Sequence, residues 1–333
     1  MYPTLFDENK LLLIDRFKPA YFPATYIPQE YLQLIIPYAG LYYEQDDDYN
    51  MLSQHIQLGP FSLWMHDVFA RKDIVLCPYS PFHLWALHFM YEASLRAEIF
   101  KTDPFSLVEK ECNLFNLYAD LHRAPMPAGT KMLSFHINIL PSALLQLAQI
   151  HPSLNYLTSK RLEGISGIIN AQPYRINAVC NMLIKSILSC RYIEAQAHHF
   201  LYRCCLDLFL NFAHQDATAD EHIISSDVHT ALFNQIFSYV QDHPDMPDCL
   251  EKLSNRIDMT GAKLAQGFRQ HFSIGLKPFL HMVRMMLAYN HLMTASSSLA
   301  IVAAATGYRH PDQMIRDLEH YYDCNILALR KSM

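Results

Sequence analysis

The sequence predicts an α+β chain in three successive parts: an antiparallel β-rich front, a helical middle and an all-helical tail. Three observations predict it. Short runs of aromatic and β-branched residues crowd the first 140 positions, the apolar period lengthens to about 3.6 after Pro141, and helical stripes then run on to residue 322. With 333 residues, 51% of them apolar, there is material for two domains with sizeable cores.

In the front part the strand-like runs are YLQLIIPYAGLYYEQ, FSLWMHDVF, DIVLCPYS, FHLWALHFMYEA and KMLSFHINIL, separated by EQDDDYN, GP, SPF and PMPAGT. Short connections between such runs predict an antiparallel sandwich or barrel over 1–140. From Pro141 a helix is expected to run to Pro152. In PYRINAVCNMLIKSILSCRY the residues Ile176, Val179, Cys180, Leu183, Ile184, Ile187 and Leu188 recur at helical spacing, and Leu201, Cys204, Cys205, Leu208 and Phe209 form a second stripe. The segment 141–212 is therefore expected to contain a helical hairpin whose apolar faces cover the barrel or a second subunit. AHQDATADEHIISSD (213–227) is polar and acidic and is expected as a linker. In the tail, 228–333, helical stripes fall over 229–241, 249–257, 260–272, 278–293, 298–306 and 311–322.

Composition narrows the function. MYPTLFDENK has neither the basic nor the continuous apolar region of a signal peptide, and Pro141 and Pro152 interrupt the longest uncharged stretch, so the chain is expected in the cytosol without a bilayer span. Eight cysteines show no CxxC pair, which predicts reduced core thiols rather than a zinc site. Net charge is −6, yet residues 249–333 hold ten Lys/Arg against six Asp/Glu. That asymmetry points the tail toward a polyanion, although moving its start back to Asp227 brings the balance to zero. P-loop, dinucleotide and nucleophile-elbow patterns are absent, so neither catalysis nor a cofactor is expected.

LAIVAAATGYRHPDQMIRDLEHYY (299–322) carries a tight corner. One of Ser296, Ser297 or Ser298 can cap the first helix, small residues including Ala303 allow close crossing, and Gly307 can enter the left-handed region where the helix ends. Tyr308 follows as an anchor, Pro311 suits a first helical position, and Met314, Ile315 and Leu318 face back. This is a helix-turn-helix in its physical essentials. CLEKLSNRIDMTGAKLAQGFRQHF (249–272) repeats the plan: Leu250 and Leu253 stripe one helix, Thr260 can cap the next, and Leu264 and Phe268 form its inner face. KPFLHMVRMMLAYNHLM lies between, and its roughly 16 helical residues would span about 24 Å, compatible with two readers about one DNA turn apart.

With these residues the tail resembles the double helix-turn-helix domain of AraC/XylS-type transcription regulators over roughly 229–330. The resemblance rests on Leu253, Thr260, Leu264, Phe268 and Arg269 in the first unit; Phe279, Leu280, Arg284 and Ala288 in the linker helix; and Leu299, Val302, Ala303, Gly307, Tyr308 and Arg316 in the second. It implies a transcription regulator, with double-stranded DNA and RNA polymerase as partners. Departures are Ser273 with Leu276, and Asp323 with Ile326, where the family has glycine and then proline, and Leu318 with Glu319 where a basic residue is common.

On the first recognition helix Lys263, Gln266, Arg269 and Gln270 are expected to face outward. Gln266 can pair an adenine edge, Arg269 a guanine or a phosphate, and the backbone near Thr260 a phosphate. On the second, Asp312, Gln313 and Arg316 project together; Asp312 can accept only from cytosine N4, whereas Arg316 can hold a base or a phosphate. Arg284 is expected to bridge carboxylates inside the tail. Gly261 and Gly267 are expected to weaken the first recognition helix by about 1 kcal/mol each relative to alanine.

The resemblance also implies a cupin-like β-barrel in front that binds a small-molecule effector, and a homodimer. MLIKSILSCRYIEAQAHHFLYRCCLDLFL is similar to the segment preceding the DNA-binding domain in siderophore-responsive members, without their usual glycine near Glu194. Trp64, Phe82, Trp85, Phe89 and Tyr91 are expected mainly in the core. A metal site is not expected: His83 and His88 alternate to opposite faces, and His66, His122 and His136 would meet only through the accidents of folding. Two alternatives stand beside the regulator. Asp312, Asp317 and Glu319, with the zero net charge of 227–333, suit a helix-turn-helix that has lost readout and serves as a protein-interaction or antagonist module, and the front half alone would suit a cupin-type metalloenzyme.

Overall fold

The structure, a computed structural model, describes residues 12–15, 26–98, 105–160, 164–218, 227–246, 253–255, 257, 259–295 and 297–331. The fold is α+β, with an antiparallel front and a helical C-terminal region, and it divides into two compact units, 1–176 and 177–333.

In the first unit fourteen strands are described: β1 Leu12–Ile14, β2 Gly40–Gln45, β3 Tyr49–Leu58, β4 Phe61–Ala70, β5 Ile74–Ser80, β6 Leu84–Glu92, β7 Leu95–Ala97, β8 Phe105–Leu107, β9 Glu111–Leu117, β10 Asp120–Leu121, β11 Ala124–Met126, β12 Lys131–Ile139, β13 Gly167–Ile168 and β14 Tyr174–Arg175. An eight-stranded sheet runs β13-β9-β6-β12-β4-β3-β2 with β14 on β9, and a smaller sheet carries β1, β10 and β11 on β5. The two sheets share one core, in which Tyr49, Met51, Val68, Met90 and Met132 meet Leu12, Ile74, Leu76 and Met126. Every residue of β4 except Phe69 is buried, because both faces are covered, and the alternation of a half-solvated strand is lost there. The run expected as a strand from Tyr31 begins instead as a 3-10 helix, Gln29–Leu34, and pairing starts at Gly40. Strands β3 and β9 go beyond the runs singled out in the sequence. Helix α1, Pro141–Ile150, and the short α2, Asn155–Thr158, also belong to this unit.

The second unit is helical: α3 Ala178–Leu188, α4 Glu194–Ala217, α5 Asp227–Asp242, α6 Gly261–Phe272, α7 Leu276–Thr294, α8 Leu299–Ala305, α9 Pro311–Tyr322 and α10 Ile326–Lys331. The segment expected as one helical block, 141–212, is thus divided at 176/177. The expected linker, 213–227, is helical through Ala217, with Ala213 and Asp216 buried; residues 219–226 lie outside the described set. The hairpin's apolar faces were expected on the barrel or a second subunit, but α4 lies against α9 and the end of α7. Tyr289 Oη donates to the Gln196 carbonyl at 2.7 Å, and the Phe200 ring lies 5.7 Å from Tyr289. No helix among the described residues is long and apolar enough to cross a membrane. All seven described cysteines are free, six of them buried; Cys249 lies outside the described residues.

Candidate nucleic-acid interface

The first helix-turn-helix is assembled around aromatic rings. Phe237 of α5 lies 4.8 Å from Phe279 of α7 and 5.2 Å from Phe272 of α6, and Phe268 lies 5.5 Å from Phe279. Leu264 and Phe268 are fully buried, as the stripe requires. Of the helix expected over 249–257, Leu253 to Asn255 are helical, Leu253 is buried, and Leu250 lies outside the described residues. Thr260 caps α6 by accepting from the Lys263 amide at 3.4 Å. Gly267 has a role the sequence did not disclose: a Cβ there would lie 2.2 Å from Phe233 Cζ, so glycine allows α5 to approach.

The second unit closes more tightly. Ser298 is the cap of α8, accepting from the Ile301 amide at 3.4 Å; Ser296 lies outside the described residues. At the other end the Tyr308 amide donates to the Ala303 carbonyl at 2.8 Å and the Gly307 amide to Ala304 at 3.1 Å, with Gly307 at φ 75. That double bond pattern is a Schellman C-cap, and it satisfies carbonyls that would otherwise be orphaned. Ala303 and Leu318 fill the seam. Tyr308 does more than anchor: its hydroxyl donates to Asp317 Oδ2 at 2.7 Å, and burial followed by that bond pushes its pKa upward, so it stays protonated.

Arg284 was expected to meet carboxylates. It donates instead to backbone carbonyls, Nε to Pro244 at 2.7 Å and Nη2 to Met246 at 2.9 Å, while its guanidinium lies 5.9 Å from the Tyr308 ring. A planar fork of donors suits this pair of backbone carbonyls after α5.

These packings leave one polar row on each recognition helix. Thr260, Lys263, Gln266 and Arg269 are exposed and Gln270 is half-buried on α6; Asp312, Gln313 and Arg316 are exposed on α9. The tail is a double helix-turn-helix. Between α6 and α9, α7 is 19 residues long, about 28 Å at the helical rise, slightly longer than the sequence suggested. Both recognition helices end on a left-handed residue, Ser273 at φ 57 and Asp323 at φ 50, where the resembling family has glycine. Of the three acids that argued against DNA, Asp317 is taken by Tyr308 and Glu319 accepts from the Ile326 amide, the first of α10, at 3.2 Å. Of the three, Asp312 is exposed and the other two are half-buried.

No protein-family model and no curated protein matches the sequence. Among solved structures, the chain is similar to the DNA-binding domain of AdpA, a global transcriptional factor, in complex with a target DNA, at 20% identity over 30% of this chain and 90% of that one, with TM-score 0.29. It is also similar to a transcriptional regulator with an AraC-type DNA-binding domain from Chromobacterium violaceum, at 12% identity over 32% and 95%, TM-score 0.29. ToxT from Vibrio cholerae is similar at 9% identity over 81% and 98%, TM-score 0.32. At scores of this size the functional reading rests on the chain's own residues.

The first unit holds a cavity of about 130 Å³ between its sheets. Leu76, Leu84, Met90, Leu95, Phe105, Phe115 and Met132 make it apolar, and His66, His88, His122, His136, Ser134 and Asn138 add polar groups. His88 and His136 face each other across β6 and β12, and the His66 and His136 rings lie 5.2 Å apart. The folding accident that the sequence left aside does occur, because β4, β12 and β6 are neighbours and each places an even-numbered histidine inward. Burial lowers His88 to about 4 and His136 further, so these imidazoles are neutral. Among the described residues no three His, Cys, Asp or Glu side chains are disposed to hold a metal ion. Trp64, Trp85 and Phe89 are core, with Trp85 Nε1 donating to Asn116 Oδ1 at 2.8 Å; Phe82 and Tyr91 are partly buried.

Proposed function

We propose that the chain is an AraC-type transcription regulator that binds double-stranded DNA through α6 and α9. One observation carries this reading: each of two capped helix-turn-helix units leaves a row of hydrogen-bonding side chains exposed on its second helix, and a single rigid helix joins the units. Lys263, Arg269 and Arg316 supply phosphate or guanine contacts, and Gln266 and Gln313 supply amides that suit adenine. Asp317 and Glu319 are each engaged within the fold, which leaves Asp312 as the exposed acid of α9.

The same reading takes the cavity of the first unit as the effector site, RNA polymerase as a protein partner, the cytosol as the location and a homodimer as the working form. The effector that fits is small and largely apolar, about the size of one substituted ring, with a group that bonds a neutral imidazole.

The test is binding to duplexes from the gene's own upstream region at low salt. Affinity is expected to fall with rising salt, and Gln266→Ala with Arg269→Ala to weaken binding by about 1–3 kcal/mol per lost base contact. Salt-independent binding, or no binding at all, would overturn the proposal.

A further inference from the structure

Helix α4 carries polar residues where an apolar helix would serve. Arg203, Asp207 and Asn211 recur at i, i+4 and i+8 and share one face, with Asp207 3% and Asn211 4% exposed. At one end of that face Asp207 takes both nitrogens of the Arg203 fork, Nη2 to Oδ1 at 2.6 Å and Nε to Oδ2 at 3.1 Å, and accepts the Tyr321 hydroxyl at 2.5 Å. Arg203 Nη1 donates to the Tyr321 carbonyl at 3.2 Å, and its guanidinium lies 3.7 Å from the Tyr321 ring. Tyr321 is the penultimate residue of α9. At the other end Asn211 Nδ2 donates to the Phe272 carbonyl at 2.7 Å, joined by Asn177 Nδ2 at 3.2 Å. Phe272 is the last residue of α6, and its carbonyl is one that the helix cannot satisfy internally.

One face of one helix therefore grips the C-terminal ends of both recognition helices. A buried ion pair adds little net stability over apolar packing, but it tolerates only one geometry, since a displaced partner leaves a charge without its hydrogen bonds. Bonds to a helix-end carbonyl are equally local. We propose that α4 is a brace that sets the relative placement of the two recognition helices, with Arg203, Asp207 and Asn211 as positioning residues for spacing-specific DNA recognition. This rests on the DNA-binding reading above. It goes beyond it by assigning spacing to a helix outside the double helix-turn-helix and without any exposed reading residue of its own.

The experiment uses the full chain with spin labels on ketone-bearing residues introduced at Lys263 and Gln313, which leaves the native cysteines untouched. Pulsed dipolar spectroscopy reads the distance between α6 and α9. The unsubstituted brace is expected to give one narrow distribution. Arg203→Met with Asp207→Leu, which exchanges the ion pair for apolar groups, combined with Asn211→Leu, is expected to broaden or shift it while thermal unfolding remains cooperative. If that combination does not fold, Tyr321→Phe, which removes the bond to Asp207, and Asn211→Ala, which removes the bonds to Phe272, Asn177 and Cys180, carry the same readout. An unchanged narrow distribution in folded variants overturns the brace.

A second arm uses a duplex selected from a random pool by the parent protein, with one base pair inserted between its halves. The insertion is expected to lower parent affinity at least tenfold and variant affinity less than threefold; equal discrimination overturns the proposal. If no duplex is selected, the DNA-binding reading fails, while the distance measurement still decides the brace.

Discussion

Replacing Gly307 by alanine tests the turn that joins α8 to α9. Gly307 sits at φ 75, and a Cβ there would lie 2.8 Å from the Asp245 carbonyl oxygen, 2.9 Å from Asp245 Cα and 2.8 Å from Arg284 Nη2. The left-handed conformation costs alanine about 1–2 kcal/mol. The contacts add about 1–3 kcal/mol, because two of the three atoms are backbone and cannot rotate away. Reduced freedom of the unfolded chain returns about 0.4–1 kcal/mol. A net loss of about 3 kcal/mol follows, and with it a fall in melting temperature on the order of 10 °C for the helical unit. Far-ultraviolet circular dichroism during denaturation follows that unit. Gly129→Ala is the control: its φ of 78 is nearly the same, but nothing lies within 4 Å of an added Cβ, so only the conformational part, about 1 kcal/mol, is expected. If the two substitutions destabilise their units equally, the close-packed corner at Gly307 does not exist as described.

Three further outcomes are expected. Ser273→Gly should stabilise the helical unit by about 1 kcal/mol, because it relieves the left-handed strain at the end of α6, and denaturant midpoints measure it. Arg284→Met should destabilise that unit by about 2–3 kcal/mol, since it strands the Pro244 and Met246 carbonyls, and Arg284→Lys, lacking the fork, should not restore it. The first unit should be acid-sensitive. His55 and His88 are both lowered to about 4 by burial, so the unfolded chain takes up protons first and stability is lost as pH falls from about 6.5 toward 4. At pH 5 the loss is on the order of 2 kcal/mol for each, read as a shift of the urea midpoint of Trp64 and Trp85 fluorescence; a midpoint constant from pH 7.5 to 5 would refute the burial of those rings.

Much of the helical unit was legible because its determinants are local. A cap, a stripe and a left-handed turn involve residues within a few positions of one another, so Thr260, Ser298, Gly307 and Pro311 marked the ends of α6, α8 and α9 closely. The outward residues followed from the same period, and all eight are at least half-exposed where the stripe put them. The partners of the acids were not legible for a related reason: periodicity places Asp317 and Glu319 on a flank of the helix but is silent on which hydroxyl or amide faces them across a turn.

The sequence by itself determined the α+β division, the second helix-turn-helix with its glycine corner, and the polar row on each second helix. Tertiary structure alone decided three things. It made β4, β12 and β6 neighbours, out of chain order, and so gathered His66, His88 and His136 around one cavity. It packed the hairpin on the tail and turned Arg203, Asp207 and Asn211 toward the ends of both recognition helices. It gave Gly267 its purpose, through a ring of α5 that lies 34 residues earlier in the chain. In each case the partners are distant in sequence, and their meeting depends on strand order and helix packing, which no local period records.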